Sequence, residues 1–290
     1  MVSIIFILGP TASGKSDYAF QLARSLEVDI ISADAYQVYR GMSIGTAKPS
    51  KDMLQNVKHH LIDVVNPDEF FDVARFIKEA NFYIDEAIDN KKKILVTGGT
   101  NYYIHSLIHG IAKLPERDPS VQSFWKKKSE EQGARWLWDQ LSLVDPETSN
   151  RLHMNDQRRI LRALEVYHVS RTPLSSFPLE GGVKDKYPYK KIALFHPPDL
   201  LRKRIESRTL QMMEEGLLEE VQLLIKQGYG ECPAVRNAVG YKETLAFLSN
   251  KSTSQVWFDQ IFQNTKKVVK KQMTWLKREV DIEWLDMTPK

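Results

Sequence analysis

A single cysteine stands among 290 residues, so no internal disulfide can form, and Cys232, between Glu231 and Pro233, has no metal-ligand spacing around it. It reads as an ordinary thiol. Long apolar runs are missing as well. The longest, Ile4 to Leu8, falls far short of the roughly 18 residues of a membrane span, and the opening Met-Val-Ser puts no basic segment ahead of it. A soluble, cytosolic protein is expected. Internal repeats and low-complexity tracts are absent, which excludes collagen-like and disordered classes. What is present, 42% apolar and 27% charged residues, suffices for one large domain or a core with a smaller satellite.

The net charge of +4 hides an asymmetry. Residues 1–150 hold 17 Lys and Arg against 20 Asp and Glu, a balance of −3, whereas residues 151–290 hold 24 against 17, a balance of +7. A basic half suits a polyanionic partner, although a charge run alone is more often a solvated face.

Val2 to Leu8 reads as a buried β-branched strand and Ser16 to Leu26 as the helix after it. Short strands at Asp29–Ser32 and Lys93–Thr97 flank an amphipathic helix that starts at Asp72, a good N-cap, and puts Val73, Phe76, Ile77, Ala80 and Ile84 on one face. Strands alternating with helices predict a parallel sheet covered on both sides. From Leu114 to Pro188 only helical patterns and loops follow, and the strand signal returns at Lys190–Phe195. The expected architecture is therefore an α/β core, residues 1–113 and 189–290, with an inserted helical subdomain at 114–188. A helix from Asp199, a break at Gly216, a helix closing at Gly228 and a last helix from Ser254 to Lys277 complete the pattern.

Gly9-x4-Gly14-Lys15-Ser16 satisfies the P-loop pattern and lies where its mechanism requires, after a strand and opening a helix. Backbone N–H groups of such a loop converge on phosphate oxygens, Lys15 reaches the terminal phosphate, and the Ser16 hydroxyl is a ligand for Mg2+. The motif does not say which phosphate compound is held. A Walker-B strand ending in Asp is missing, because Ile94–Thr97 runs into Gly98-Gly99-Thr100-Asn101. Asp34 ends the second strand at the carboxyl edge of the sheet, where open α/β folds bind ligands; it suits a general base or, more plainly, a turn cap. Thr100 follows a Gly-Gly pair and serves either a ligand or the cap of a tight turn. Arg204, Arg208, Gln211 and Glu215 share a helix face, which reads either as a solvated salt-bridged stripe or, for the two arginines and Arg208 above all, as charge that neutralises a leaving diphosphate. Arg158, Arg159 and Arg162, Lys126 to Lys128 beside Trp125, and Lys266, Lys267, Lys270 and Lys271 form three basic patches. His59-His60 has no metal partners in the sequence, and the six tryptophans read as core or interface.

Gly9–Ser16, Ser32-Ala-Asp-Ala-Tyr-Gln-Val-Tyr39, Arg40-Gly-Met-Ser-Ile-Gly-Thr-Ala-Lys-Pro49, His59-His-Leu-Ile-Asp63, Gly98-Gly-Thr-Asn-Tyr-Tyr103, Asn155-Asp-Gln-Arg-Arg159, Arg236-Asn-Ala-Val-Gly-Tyr241 and Lys271-Gln-Met-Thr-Trp-Leu-Lys277 together resemble the bacterial tRNA dimethylallyltransferases, in order and over nearly the whole chain. That resemblance implies a P-loop NTPase-like core and transfer of a dimethylallyl group from dimethylallyl diphosphate to the exocyclic N6 amine of the adenosine 3′-adjacent to the anticodon. Its partners would be the tRNA anticodon arm and the prenyl donor, with Mg2+ as cofactor and no membrane or obligate protein partner. By the same carry-over, Gly9, Pro10, Thr11, Ala12, Ser13, Gly14, Lys15 and Ser16 hold the diphosphate, Asp34 is the base, Thr100 orients the reacting centre, and Lys15 and Arg208 steady the leaving group. The tRNA-contact segments would be Asp34, Ala35, Tyr36 and Gln37, then Thr100 and Ser123, then Gln157, Arg158, Arg159, Ile160 and Leu161, and finally Arg236, Asn237, Ala238, Val239, Gly240 and Tyr241. One departure is visible: Ala35 stands where the family usually has Ser.

Two other readings use the same residues. In a P-loop small-molecule kinase ATP would fill the loop, Asp34 would deprotonate a hydroxyl, and Arg204 and Arg208 would belong to a lid. An RNA-binding module with a degenerate nucleotide site is the other, and the intact Lys15 and Ser16 speak against it.

Overall fold

The computed structural model describes residues 2–250 and 253–288. Its strands are β1 (Ile4–Leu8), β2 (Ile30–Ser32), β3 (His59–His60), β4 (Ile94–Thr97), β5 (Ile111–Ala112), β6 (Leu179–Glu180), β7 (Tyr189–Phe195) and β8 (Ile282–Asp286). The helices are α1 (Lys15–Leu26), α2 (Lys51–Asn56), α3 (Val73–Asp89), α4 (Asn101–His109), α5 (Pro119–Val144), α6 (Pro146–Arg151), α7 (Gln157–Ser170), α8 (Pro198–Glu214), α9 (Leu217–Lys226), α10 (Pro233–Asn237), α11 (Tyr241–Asn250) and α12 (Ser254–Leu276). No helix of the described residues is long and apolar enough to cross a membrane.

Two compact units divide the chain: Gly110–Glu180, and the segments before and after it. The larger unit holds a six-stranded sheet in the order β3-β2-β4-β1-β7-β8, every pairing parallel. Parallel strands need both faces covered, and β1 shows why its run is unbroken. Ile5 and Ile7 pack with Ala19, Phe20 and Ala23 of α1, while Ile4 and Phe6, pointing the other way, are just as completely buried. Asp72 caps α3 as its sequence implies, accepting from the Arg75 N–H at 2.9 Å. Gly216 (φ +97°) breaks α8 from α9, in a backbone region that costs glycine least.

The strand order fixes where chemistry happens. Because β2, β4 and β1 are neighbours and all run the same way, the loops after them leave one edge, with the loop after β4 in the middle. The sheet is that of a P-loop NTPase-like fold.

In the smaller unit, α5 and α7 enclose Leu137, Leu141, Ile160, Ala163 and Leu164, with Trp125, Trp136 and Trp138 packed around them. The Trp138 indole donates to the Ser149 and Leu152 carbonyls at 3.1 Å each, so that tryptophan is core. Gly133 (φ +86°, ψ 168°) kinks α5. The expected borders, 114 and 188, move to 110 and 180. Val183 and Lys184 donate backbone N–H groups to Leu107 and Ile108 and so tie the returning chain to the core. The expectation of no strand in the insertion is also corrected, since β5 and β6 form a two-residue antiparallel pair.

Candidate active site

The loop between β1 and α1 is bent by Gly9 (φ +147°), Ala12 (φ +67°) and Gly14 (φ +84°). A Cβ on Gly9 would stand 2.7 Å from Ser13 Oγ, so the bend has no room for a side chain. Its carbonyls are taken by cations and a ring nitrogen: Lys15 Nζ donates to Pro10 O at 2.9 Å, Arg204 Nε to Ala12 O at 2.7 Å, and His196 Nε2 contacts Ser13 O at 2.9 Å. The carbonyls thus occupied, the first-turn N–H groups of α1 are the ones left for an anion. Ser13 Oγ is buried with no partner among the described residues.

Lys15 is buried, and burial, with the Arg208 guanidinium adding to it and Asp34 opposing it, brings its ammonium down to about 7. Burial likewise lowers the half-buried Arg208 from its ordinary value, against the pull of Asp34. Lys15, Arg208 and Asp34, separated by up to 193 positions in the chain, therefore share one electrostatic neighbourhood. One buried and one half-buried cation around a single carboxylate leave the site short of negative charge, which a diphosphate would supply.

Among the described residues, backbone N–H groups orient the Asp34 carboxylate. Oδ1 accepts from Tyr36 N at 2.9 Å and Gln37 N at 3.3 Å, and Oδ2 accepts from Gly99 N at 3.2 Å. The middle loop is pressed so close that a Cβ on Gly98 would lie 2.1 Å from Ala33 O, and one on Gly99 2.8 Å from Asp34 Oδ2. That crowding explains the Gly-Gly pair. Thr100 Oγ1 accepts from Ala35 N at 2.9 Å, and its own O–H finds no acceptor among the described residues. Burial and the neighbouring Asp34 raise the Tyr36 hydroxyl above its ordinary value, so it stays neutral.

The other expected residues differ in burial and partners. Gln37 is fully engaged: Ser32 Oγ donates to its Oε1 at 2.9 Å, and its Nε2 donates to Thr46 O and Ala47 O at 3.2 Å each. Arg236 and Asn237 are exposed, with Arg236 paired to Glu231, Val239 is half-buried, and Ala238 and Gly240 are buried. The expectation that Tyr241 touches RNA is corrected. It is fully buried, its hydroxyl donates to Glu220 Oε1 at 2.6 Å, and Glu220 in turn accepts from the Ser43, Ile44 and Gly45 N–H groups. Tyr241 shapes the loop at 43–47 from beneath. Ile160 needs the same correction, being wholly buried in the smaller unit's core, and Leu161 packs against that core. Ser123, Gln157, Arg158 and Arg159 are exposed; Arg159 pairs with Asp156 at 3.1 Å, and Arg158 makes no ion pair among the described residues.

His196 and Gln272 were not singled out from the sequence. His196 stands one residue after β7, at the same sheet edge as Asp34, and that position is its only signal. Gln272 lies in the motif at 271–277 but has no spacing that marks it. His60 is structural, its Nε2 2.8 Å from Asp29 and its ring stacked on Tyr83 at 3.9 Å. His105, His109 and Glu279 bring donor atoms within 4.8 Å of one another. Lys191 already holds Glu279 at 3.1 Å, and Lys184 adds a second positive charge near His109, so a dication would enter that cluster against two cations.

The sequence model of the family described as IPP transferase matches residues 37–279. Similar curated proteins include a tRNA dimethylallyltransferase 2 of Geotalea uraniireducens, 41% identical over 98% of this chain and 92% of that protein. The tRNA dimethylallyltransferase of Geobacter sulfurreducens is 39% identical over 98% and 91%. Among solved structures, a full-length tRNA isopentenylpyrophosphate transferase of Bacillus halodurans superposes with a TM-score of 0.72 at 34% identity, covering 99% of this chain and 91% of the other. A eukaryotic dimethylallyltransferase acting on tRNA gives 0.83 at 25% identity, covering 99% and 74%.

Proposed function

The chain belongs to the IPP transferase family and is an enzyme of the tRNA dimethylallyltransferase type, and from that premise we propose that it moves a dimethylallyl group from dimethylallyl diphosphate to the exocyclic N6 amine of the adenosine 3′-adjacent to the anticodon. The observation that carries the site assignment is that the P-loop and Asp34 follow β1 and β2 on either side of β4 at one sheet edge, with Arg204 of α8, one turn before Arg208, donating to Ala12 O at 2.7 Å. In this reading the loop Gly9–Ser16 holds the donor's diphosphate.

An adenine amine is a weak nucleophile because its lone pair is delocalised, so its proton must leave as the bond forms. The N6 lone pair bonds to the allylic carbon, the carbon–oxygen bond to diphosphate breaks with its electron pair on oxygen, and Asp34 takes the N6 proton. Lys15, Arg208 and the first-turn N–H groups of α1 hold the departing charge. The Thr100 O–H, without an acceptor among the described residues, is available to the substrate. The loop offers Mg2+ one hydroxyl, from Ser16, the usual pattern for an ion held mainly by phosphate oxygens and water; bound there it would add positive charge to the leaving group. The target base must leave its stack to reach the pocket. Ser123, Gln157, Arg158, Arg159, Arg236 and Asn237 are the exposed residues proposed to meet tRNA.

The kinase alternative predicts the opposite ligand preference. Dimethylallyl diphosphate at saturating concentration is expected to raise the melting temperature more than ATP does; a larger shift with ATP overturns the donor assignment.

A further inference from the structure

Gln272, on α12, is nearly buried at 7% exposure and spans the two halves of the site. Its Oε1 accepts from Thr11 N in the P-loop at 2.8 Å, and its Nε2 donates to Gly99 O at 2.8 Å. Gly99 in turn donates its N–H to Asp34. The backbone carbonyl of Gln272 accepts from Asn101 Nδ2, at the start of α4, at 3.2 Å, so both ends of this residue are tied to the segment 99–101. One continuous hydrogen-bonded path thus runs from the P-loop through Gln272 and Gly99 to the Asp34 carboxylate.

We propose that Gln272 is a positioning residue that sets the distance between the diphosphate loop and the base, and so the alignment of the prenyl carbon with the amine whose proton Asp34 removes. The inference rests on the prenyl-transfer reading for its kinetic consequences, and on the hydrogen bonds alone for its structural ones. A neutral amide is the group that fits, because it offers an acceptor and a donor on one rigid plane. Glutamate at 272 keeps the acceptor for Thr11 but turns a second acceptor toward Gly99 O. Methionine keeps the length and loses both. A displacement of about 1 Å between reacting groups costs on the order of a hundredfold in rate, without a matching loss of substrate affinity.

The test compares single-turnover transfer at saturating tRNA and dimethylallyl diphosphate for wild type, Gln272→Met, Asp34→Asn and the double variant. Gln272→Met is expected to lose about a hundredfold in rate while KM for each substrate stays within about threefold, and the double variant to be no more than about threefold slower than Asp34→Asn, as two residues acting through one alignment require. A wild-type rate for Gln272→Met, or fully multiplicative losses in the double variant, overturns the proposal. Gln272→Glu supplies an independent readout if the methionine variant folds poorly. Protonating its carboxyl restores a donor toward Gly99 O, so its rate relative to wild type is expected to rise as pH falls; a flat ratio contradicts the mechanism. Should wild type itself transfer no prenyl group, the functional reading fails, and amide hydrogen exchange still decides the clamp. Faster exchange at 11–14 and 97–101 in Gln272→Met sustains it, and unchanged exchange removes it.

Discussion

Lys15 carries the most charge-sensitive duty in the site. With its ammonium brought down to about 7 by burial and Arg208, the lysine of the free protein is half neutral near that pH, whereas a bound diphosphate stabilises the charged form. Binding therefore takes up a proton when the solution lies above about 7. The sign follows: affinity for inorganic pyrophosphate should fall as pH rises from about 7 toward the ordinary lysine range, and calorimetry in buffers of different ionisation enthalpy should register the uptake. Lys15→Ala should bind weakly and remove that component of the pH dependence. An unchanged pH response in Lys15→Ala would place the titrating group elsewhere. Tyr241 offers a second single-residue case. Tyr241→Phe removes an O–H bond to the Glu220 carboxylate, a loss of roughly 1.5–3 kcal/mol for a charge-assisted bond, and should lower the melting temperature with tRNA affinity kept. Lost tRNA affinity at full stability would restore the direct-contact role that burial denies it.

The loop after β4 is crowded by backbone at one glycine and by the Asp34 side chain at the next, and substitution separates the two. Gly98→Ala drives its methyl into backbone, the Ala33 carbonyl, and should cost about 1–3 kcal/mol of stability by overpacking. Gly99→Ala meets the Asp34 side chain instead and should slow transfer at least tenfold with donor binding kept. Equal effects of the two on melting temperature and rate would contradict that division. β1, β2 and β4 were legible because each is a short run buried on both faces, β7 because of its buried Ile192–Leu194 stretch, and Asp34 and the P-loop because they end such runs. β8 was not: Ile-Glu-Trp-Leu-Asp at 282–286 is a half-exposed edge strand with charges in it, and β3 is two residues long. The clamp by Gln272 was invisible for a deeper reason, since it joins positions 11, 99 and 272, and no local pattern encodes a contact of that separation. α12 itself is legible from its helical pattern and basic stripe, whereas its buried glutamine carries no local signal.

Across the whole molecule the charge asymmetry of −3 and +7 concentrates cation in the part of the chain that supplies α7 and everything after it. If tRNA phosphates lie against Arg158, binding weakens steeply with salt as counterions are released. Arg158→Ala should reduce the log–log slope by somewhat under one unit and weaken different tRNAs about equally, since phosphate contacts position without reading sequence. An unchanged slope and affinity would assign that arginine to a solvated helix face. The central claim joins the scales: a prenyl donor on the P-loop, Asp34 as base, and a tRNA adenosine as acceptor. Its most direct test is mass analysis of nucleosides from undermodified tRNA incubated with dimethylallyl diphosphate and either wild type or Asp34→Asn. A five-carbon increment on the adenosine 3′-adjacent to the anticodon with wild type, slowed at least a hundredfold in Asp34→Asn at near-normal tRNA affinity, is the predicted result. No increment with wild type, or an Asp34→Asn rate within about threefold of it, would contradict the account.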